Sequence, residues 1–230
     1  MSDWLIWQLA DSGYPSGGFA HSGGLEAAWQ SGEVPDDAAL RQFVGGVVLQ
    51  AGHALLPLAS AAWRDPGRLE ELDALSDAFL INAVANRASR AQGRAFLASC
   101  VRVYAADGEL RIDAGRPRVP MLDLEARARA LHAHYAPIAG AVFRALDVPL
   151  PTAQRLLLHV AARGVLAAAV RLGIVGPYRA QTMQWDAAAQ LDAVLERCRH
   201  LDDREIAQTA PIADVLQGAH DRLYSRLFQS

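Results

Sequence analysis

The sequence predicts an all-α fold: one globular domain over residues 1–230, of roughly ten helices packed around a central buried helix. Three observations predict it. Alanine and leucine dominate, while aromatic residues make up only 7% of the chain, so residues that favour strands are scarce. Apolar residues recur at three- and four-residue intervals, and no pair of alternating, strand-like segments appears. Clusters of Gly, Pro, Ser and Asp separate these apolar segments, as turns do. A chain of 230 residues can bury a real core, and 52% apolar against 20% charged residues is a globular balance, not a disordered one.

Residues 4–10 read as a short apolar helix that stops at the turn residues Asp11-Ser12-Gly13-Tyr14-Pro15-Ser16-Gly17-Gly18. A second helix is expected from His21 or Ser22 through Trp29. Asp36 or Asp37 then caps a helix reaching Trp63, which Pro57 must kink or split. Leu69, Leu72, Leu75, Phe79 and Leu80 mark the next helix, and another covers Ser89 to Tyr104. The polar stretch Asp107 to Pro120 is the candidate long loop, and the place for a domain boundary if the chain has one. Helices follow over 121–135 and 137–147, and Pro151-Thr152 opens the longest apolar one, to Leu172, apolar nearly all round and therefore central. After the break at Gly176-Pro177, the pattern gives an amphipathic helix over 178–199 and a final one over 212–228.

Composition excludes several functions. All 22 residues in the Lys+Arg count are arginine. Without lysine, neither a P-loop nor Schiff-base chemistry is available. A net charge of −3 with interspersed signs is unlike a nucleic-acid binder. Cys100 and Cys198 lie far apart and read as reduced core thiols, which fits the cytoplasm. Met1 to Trp4 shows no basic region followed by an apolar run, so no secretory signal is expected. Leu156 to Val175 carries His159, Arg163 and Arg171 and reads as a buried helix, not a membrane span.

Four constellations are candidates for chemistry or binding. His132 and His134, two apart, would face different sides of a helix, whereas a shared helical metal face needs a spacing of four. The segment Ser16 to Glu26 is glycine-rich, and its backbone could cradle an anion or form a serine-hydrolase turn. The preceding strand and the lysine of the known fingerprints are missing. Arg87, Arg90 and Arg94 share one helical face, either solvated or a docking stripe for an acidic partner. The amphipathic end, His220 to Ser230, either packs on its own core or is offered to a partner.

Three motifs taken together resemble the UreF family of urease accessory proteins. The first is Gln8-Leu9-Ala10-Asp11-Ser12 with Pro15-Ser16-Gly17-Gly18-Phe19-Ala20-His21-Ser22-Gly23-Gly24-Leu25-Glu26. The second is Ala169-Val170-Arg171-Leu172-Gly173-Ile174-Val175-Gly176-Pro177 with Gln181, and the third runs from His220 to Ser230 with Ser225-Arg226-Leu227-Phe228. The resemblance implies an all-α homodimer with no cofactor and no enzymatic activity of its own. Such proteins bridge UreD (UreH in some organisms) and the GTPase UreG, gate that GTPase, and serve nickel delivery to the lysine-carbamate site of apo-urease (UreA, UreB and UreC). It assigns no catalytic or metal-binding residue. Partner-binding residues carried over by motif are Pro15, Gly17, Gly18, Phe19, His21 and Ser22 in the opening loop, Arg171 in the central helix, and Tyr224, Ser225, Arg226, Leu227 and Phe228 at the end. A cation in an apolar helix is costly unless paired, so Arg171 is read either as facing a partner, helping to couple UreG, or as held in an internal ion pair. The alternative reading is a helical enzyme that binds a small molecule or anion with loop 16–24.

Overall fold

A computed structural model describes residues 3–104 and 121–230, and among these no strand occurs. The expected loop at 107–120 lies outside the described residues. Helix α1 (Asp3–Ala10) is followed by an irregular segment containing one 3-10 turn, Gly18–Ala20. Helix α2 covers Leu25–Gln30, not His21 onward, because Gly23 and Gly24 adopt φ of 63° and 88°, which ends the loop and cannot start a helix.

Helix α3 (Asp37–Gln50) starts at Asp36, whose side chain accepts the Ala39 N–H at 2.9 Å. It reaches α4 (Leu56–Arg64) through a π-turn over Ala51–Leu55. Pro57 explains the turn: with no N–H it leaves the His53 carbonyl without its helical donor, and the Ala207 N–H supplies one at 3.0 Å. The distortion expected at Pro57 is therefore present as a π-turn, and a distant loop satisfies the freed carbonyl.

Helices α5 (Leu69–Phe79) and α6 (Ala83–Tyr104) come next. The latter begins six residues earlier than Ser89 because Asn82 Oδ1 accepts the Val84 and Ala85 N–H groups. Helix α7 (Met121–Ala128) ends earlier than expected, α8 is Tyr135–Ala145 and α9 is Leu150–Arg171. The single helix expected over 178–199 is two, α10 (Pro177–Asp186) and α11 (Ala188–Cys198). The last helix, α12, stops at Gly218 instead of 228 (Pro211–Gly218) and passes through a 3-10 turn, Ala219–Arg222, into extended chain.

Two helices form the centre. Helix α9 packs against α1, α2, α3, α4, α8, α10 and α11, as a central helix should. Helix α8 lies deeper still, with ten of its 11 residues buried among α4, α5, α6, α7 and α9. At the α4–α8 crossing a Cβ on Gly140 would stand 2.0 Å from the Ala59 carbonyl oxygen, so only glycine allows the approach. Residues 37–64 and 150–171 are apolar and long enough to cross a membrane, yet more than half of each apolar window is buried in this fold. They are core helices here. One apolar cluster runs from Leu9 to Phe228 and joins both ends of the described chain.

Candidate partner-binding site

The glycine-rich loop, the end of α9 and the closing segment meet at one place. Gly17 and Gly24 both need positive φ, and a Cβ on Gly24 would press on Gln217 of α12 at 3.0 Å. This backbone path sets Ser22, His21 and Glu26 side by side beneath the last residues. The Ser22 N–H and Oγ–H both donate to the Ser230 carbonyl oxygen, at 2.7 and 2.9 Å. His21 Nδ1 lies 2.6 Å from Ser230 Oγ, and the Gln229 N–H donates to the Ala20 carbonyl at 2.9 Å.

Glu26 is the centre of the arrangement, although the motifs do not single it out for binding. Its carboxylate is 1% exposed. It accepts the Leu227 N–H at 2.6 Å, the Phe228 N–H at 3.1 Å and His220 Nε2–H at 3.0 Å. No periodicity announces such a residue; only the folded path brings 220–228 to it.

Arg171 joins the three motifs. Its guanidinium carbon lies 3.7 Å from the Phe19 ring centroid and 4.2 Å from that of Phe228, and Nη1 donates to the Phe19 carbonyl. The cation is held by two ring faces and a carbonyl, and among the described residues no carboxylate pairs with it, as the internal ion pair would require. Phe19 is 70% exposed while Phe228 is 5% exposed, so the stack runs from solvent into the core.

Pro15 is exposed, with its carbonyl accepting Ser99 Oγ–H at 2.6 Å; Gly17 and Gly18 are half-buried at the start of the 3-10 turn. At the other end Tyr224, Ser225, Arg226 and Leu227 face outward, Tyr224 fully exposed. The end of the sequence thus does both things expected of it. It packs on its own chain through His220, Phe228 and Ser230, and it offers four consecutive side chains to solvent.

The remaining candidates resolve differently. His132 and His134 sit in the irregular link before α8, not on a helix, with ring centroids 6.0 Å apart. His134 is buried against Asp77 Oδ1 (3.1 Å) and Ser89, and burial holds its pKa below the ordinary imidazole value. No group of three metal-ligating side chains occurs among the described residues. Of the arginine stripe, Arg87 pairs with Asp221 of the closing segment at 2.7 Å, so its acidic partner lies in the same chain. Both cysteines are free and buried, and burial pushes the Cys100 thiol up to about 12.

Two cavities, of about 310 and 230 Å³, flank the loop and share His21, Gln92 and Tyr135 in their walls. Their linings are mainly aliphatic. Ser22 Oγ is committed to Ser230 and the loop follows a helix, not a strand, so the serine-hydrolase turn is not formed.

The sequence model of the UreF family matches residues 34–188. Over 229 residues the chain is 38% identical to urease accessory protein F of Arabidopsis thaliana, covering 99% of this chain and 92% of that protein. This chain belongs to the UreF family. Urease accessory protein F of Oryza sativa subsp. indica is 35% identical over 227 residues, or 98% of this chain and 84% of the rice protein. A UreF-like protein of Schizosaccharomyces pombe is 27% identical over 231 residues, 96% of this chain and 94% of its own. The loop and closing segment lie outside the span of the UreF family model but inside these near full-length matches. UreF membership supports a role as a urease accessory protein and an association with other maturation components.

Proposed function

We propose that this UreF-family chain is a non-enzymatic scaffold of urease maturation. It bridges UreD (UreH) and the GTPase UreG on apo-urease (UreA, UreB and UreC), regulates that GTPase during nickel insertion, and works as a cytoplasmic homodimer folded as one unit over residues 1–230. The observation that carries this reading is the outward row Tyr224, Ser225, Arg226 and Leu227, pinned from beneath by buried residues. A segment held in one conformation with its side chains exposed is preordered for a partner and loses little entropy on binding. In this reading Pro15, Phe19 and the outward row touch partners, while Gly17, Gly18, His21, Ser22, Arg171 and Phe228 hold them in place. Any GTP chemistry belongs to a partner, since the chain has no lysine for a P-loop.

Light scattering after size exclusion tests this, on the chain alone and co-expressed with the UreD and UreG of its own organism. A dimer alone and a larger stoichiometric complex with both partners are expected. A lone monomer that ignores both would overturn the reading.

A further inference from the structure

We infer that Glu26 is the positioning residue for partner recognition by the closing segment: its buried carboxylate gathers the Leu227 and Phe228 amides and the His220 imidazole and so fixes residues 220–228 as an outward-facing strap. The inference rests on the scaffold reading above and adds to it a residue that touches no partner. A carboxylate at 1% exposure is costly unless its oxygens accept hydrogen bonds. The three donors that its oxygens accept from the closing segment lie within nine positions of one another, and the two amides among them are consecutive. Two consecutive N–H groups aimed at one carboxylate cannot also donate to carbonyls four residues back. This contact therefore keeps Leu227 and Phe228 out of the helix expected over 212–228, in a chain already extended at Leu223.

The geometry also explains which side chains are offered. With the amides of 227 and 228 turned inward, Phe228 enters the core at 5% exposure, and Leu227 is left 53% exposed beside the fully exposed Tyr224. Gln30 Nε2 adds a tie to the Ser225 carbonyl at 3.0 Å. Were these residues helical, their side chains would lie on a cylinder and these exposures would be redistributed. The Glu26 carboxylate therefore selects the presented set.

The test uses the full chain and Glu26→Gln, which keeps size but puts an N–H₂ where an acceptor is needed. Hydrogen exchange at the Leu227 and Phe228 amides is expected to quicken by about tenfold or more, and affinity for the UreD-type partner to fall by about tenfold. Leu166→Ala in α9 serves as control: it lowers the thermal midpoint but leaves both readouts unchanged, which separates positioning from general stability. If Glu26→Gln does not fold, the pair His220→Ala and His220→Gln replaces it, with loss expected in the first and rescue in the second, which keeps a donor. Wild-type protection at 227 and 228, or unchanged partner affinity, in Glu26→Gln overturns the inference while the scaffold reading stands. The inference is likewise overturned if His220→Ala matches wild type in both readouts. If the wild-type chain itself binds no such partner, the scaffold reading fails first and the inference with it.

Discussion

The α4–α8 crossing and the strap over Glu26 are both buried, yet they are held by opposite means. At the crossing, Ala59, Ala139, Gly140 and Ala141 let two helices approach until backbone meets backbone. At the strap, Ser22, Glu26, His220 and Ser230 are each at most 2% exposed and are held by hydrogen bonds. Shape secures the first region and a hydrogen-bonded polar network the second, with the buried His220 Nδ1 the one atom of it that finds no partner among the described residues. A close-packed crossing resists any added atom, whereas a polar network fails when one acceptor is lost. That difference suits their places: the crossing carries the fold, and the strap carries the side chains offered to partners.

Four perturbations sharpen or break this comparison. The largest expected effect on stability is at the crossing. Gly140→Ala places a methyl 2.0 Å from the Ala59 carbonyl and is expected to cost about 3 kcal/mol in urea unfolding. A cost under about 1 kcal/mol would mean the helices can separate, and that shape is not what holds them. Next is Arg171→Ala, which removes the stack between Phe19 and Phe228. Amides 223–230 are expected to open more easily by about 1–2 kcal/mol in hydrogen exchange, with α8 amides unaffected. Uniform loosening of both regions would erase the distinction.

Acidification comes third. Burial, with His220 nearby, holds the His21 pKa below its ordinary value of 6.5, and burial does the same for His134. Each folded imidazole therefore binds fewer protons than its unfolded counterpart, so stability falls as pH drops below about 6.5. Between about pH 7.5 and 5.5 the urea midpoint should decline, and His21→Asn should flatten part of that decline. Asp77 and Asp203, held low first by Asn86 and by Arg68 respectively, contribute stability that is lost only below their ordinary value of 3.8 and so do not act in this window. A flat profile would mean that the histidines are equally free to protonate in both states. The smallest effect on stability belongs to Tyr224→Ala, within about 0.5 kcal/mol for a fully exposed ring. Partner affinity should nonetheless fall by about 30-fold, measured by surface plasmon resonance. Unchanged affinity would remove Tyr224 from the proposed interface.

Much of the helical plan is legible in the sequence. Asp36 caps α3 as its residue type requires, and Pro57 distorts the helix that contains it. The misplacements share a cause. Gly23 and Gly24 delay α2 through backbone angles that a helical pattern does not reveal. The break between α10 and α11 has no Gly or Pro to mark it. It coincides with α11 packing on the π-turn, where Val194 and Cys198 crowd Gly52. The helical pattern also runs past the true end of α7 at Ala128, and so puts His132 and His134 on a helix they do not occupy. The site is legible as three motifs, but not as one place.

By itself the sequence determined the all-α class, the central helix α9, the absence of lysine chemistry and membership of the UreF family, because composition, periodicity and motif order are properties of neighbouring residues. The tertiary structure alone decided that Arg171 is held between Phe19 and Phe228, that Arg87 meets Asp221, and that Glu26 takes the Leu227 and Phe228 amides. Each of these joins residues more than 50 positions apart, and a hydrogen bond or a stacked cation exists only where the folded backbone brings its two halves within a few ångströms.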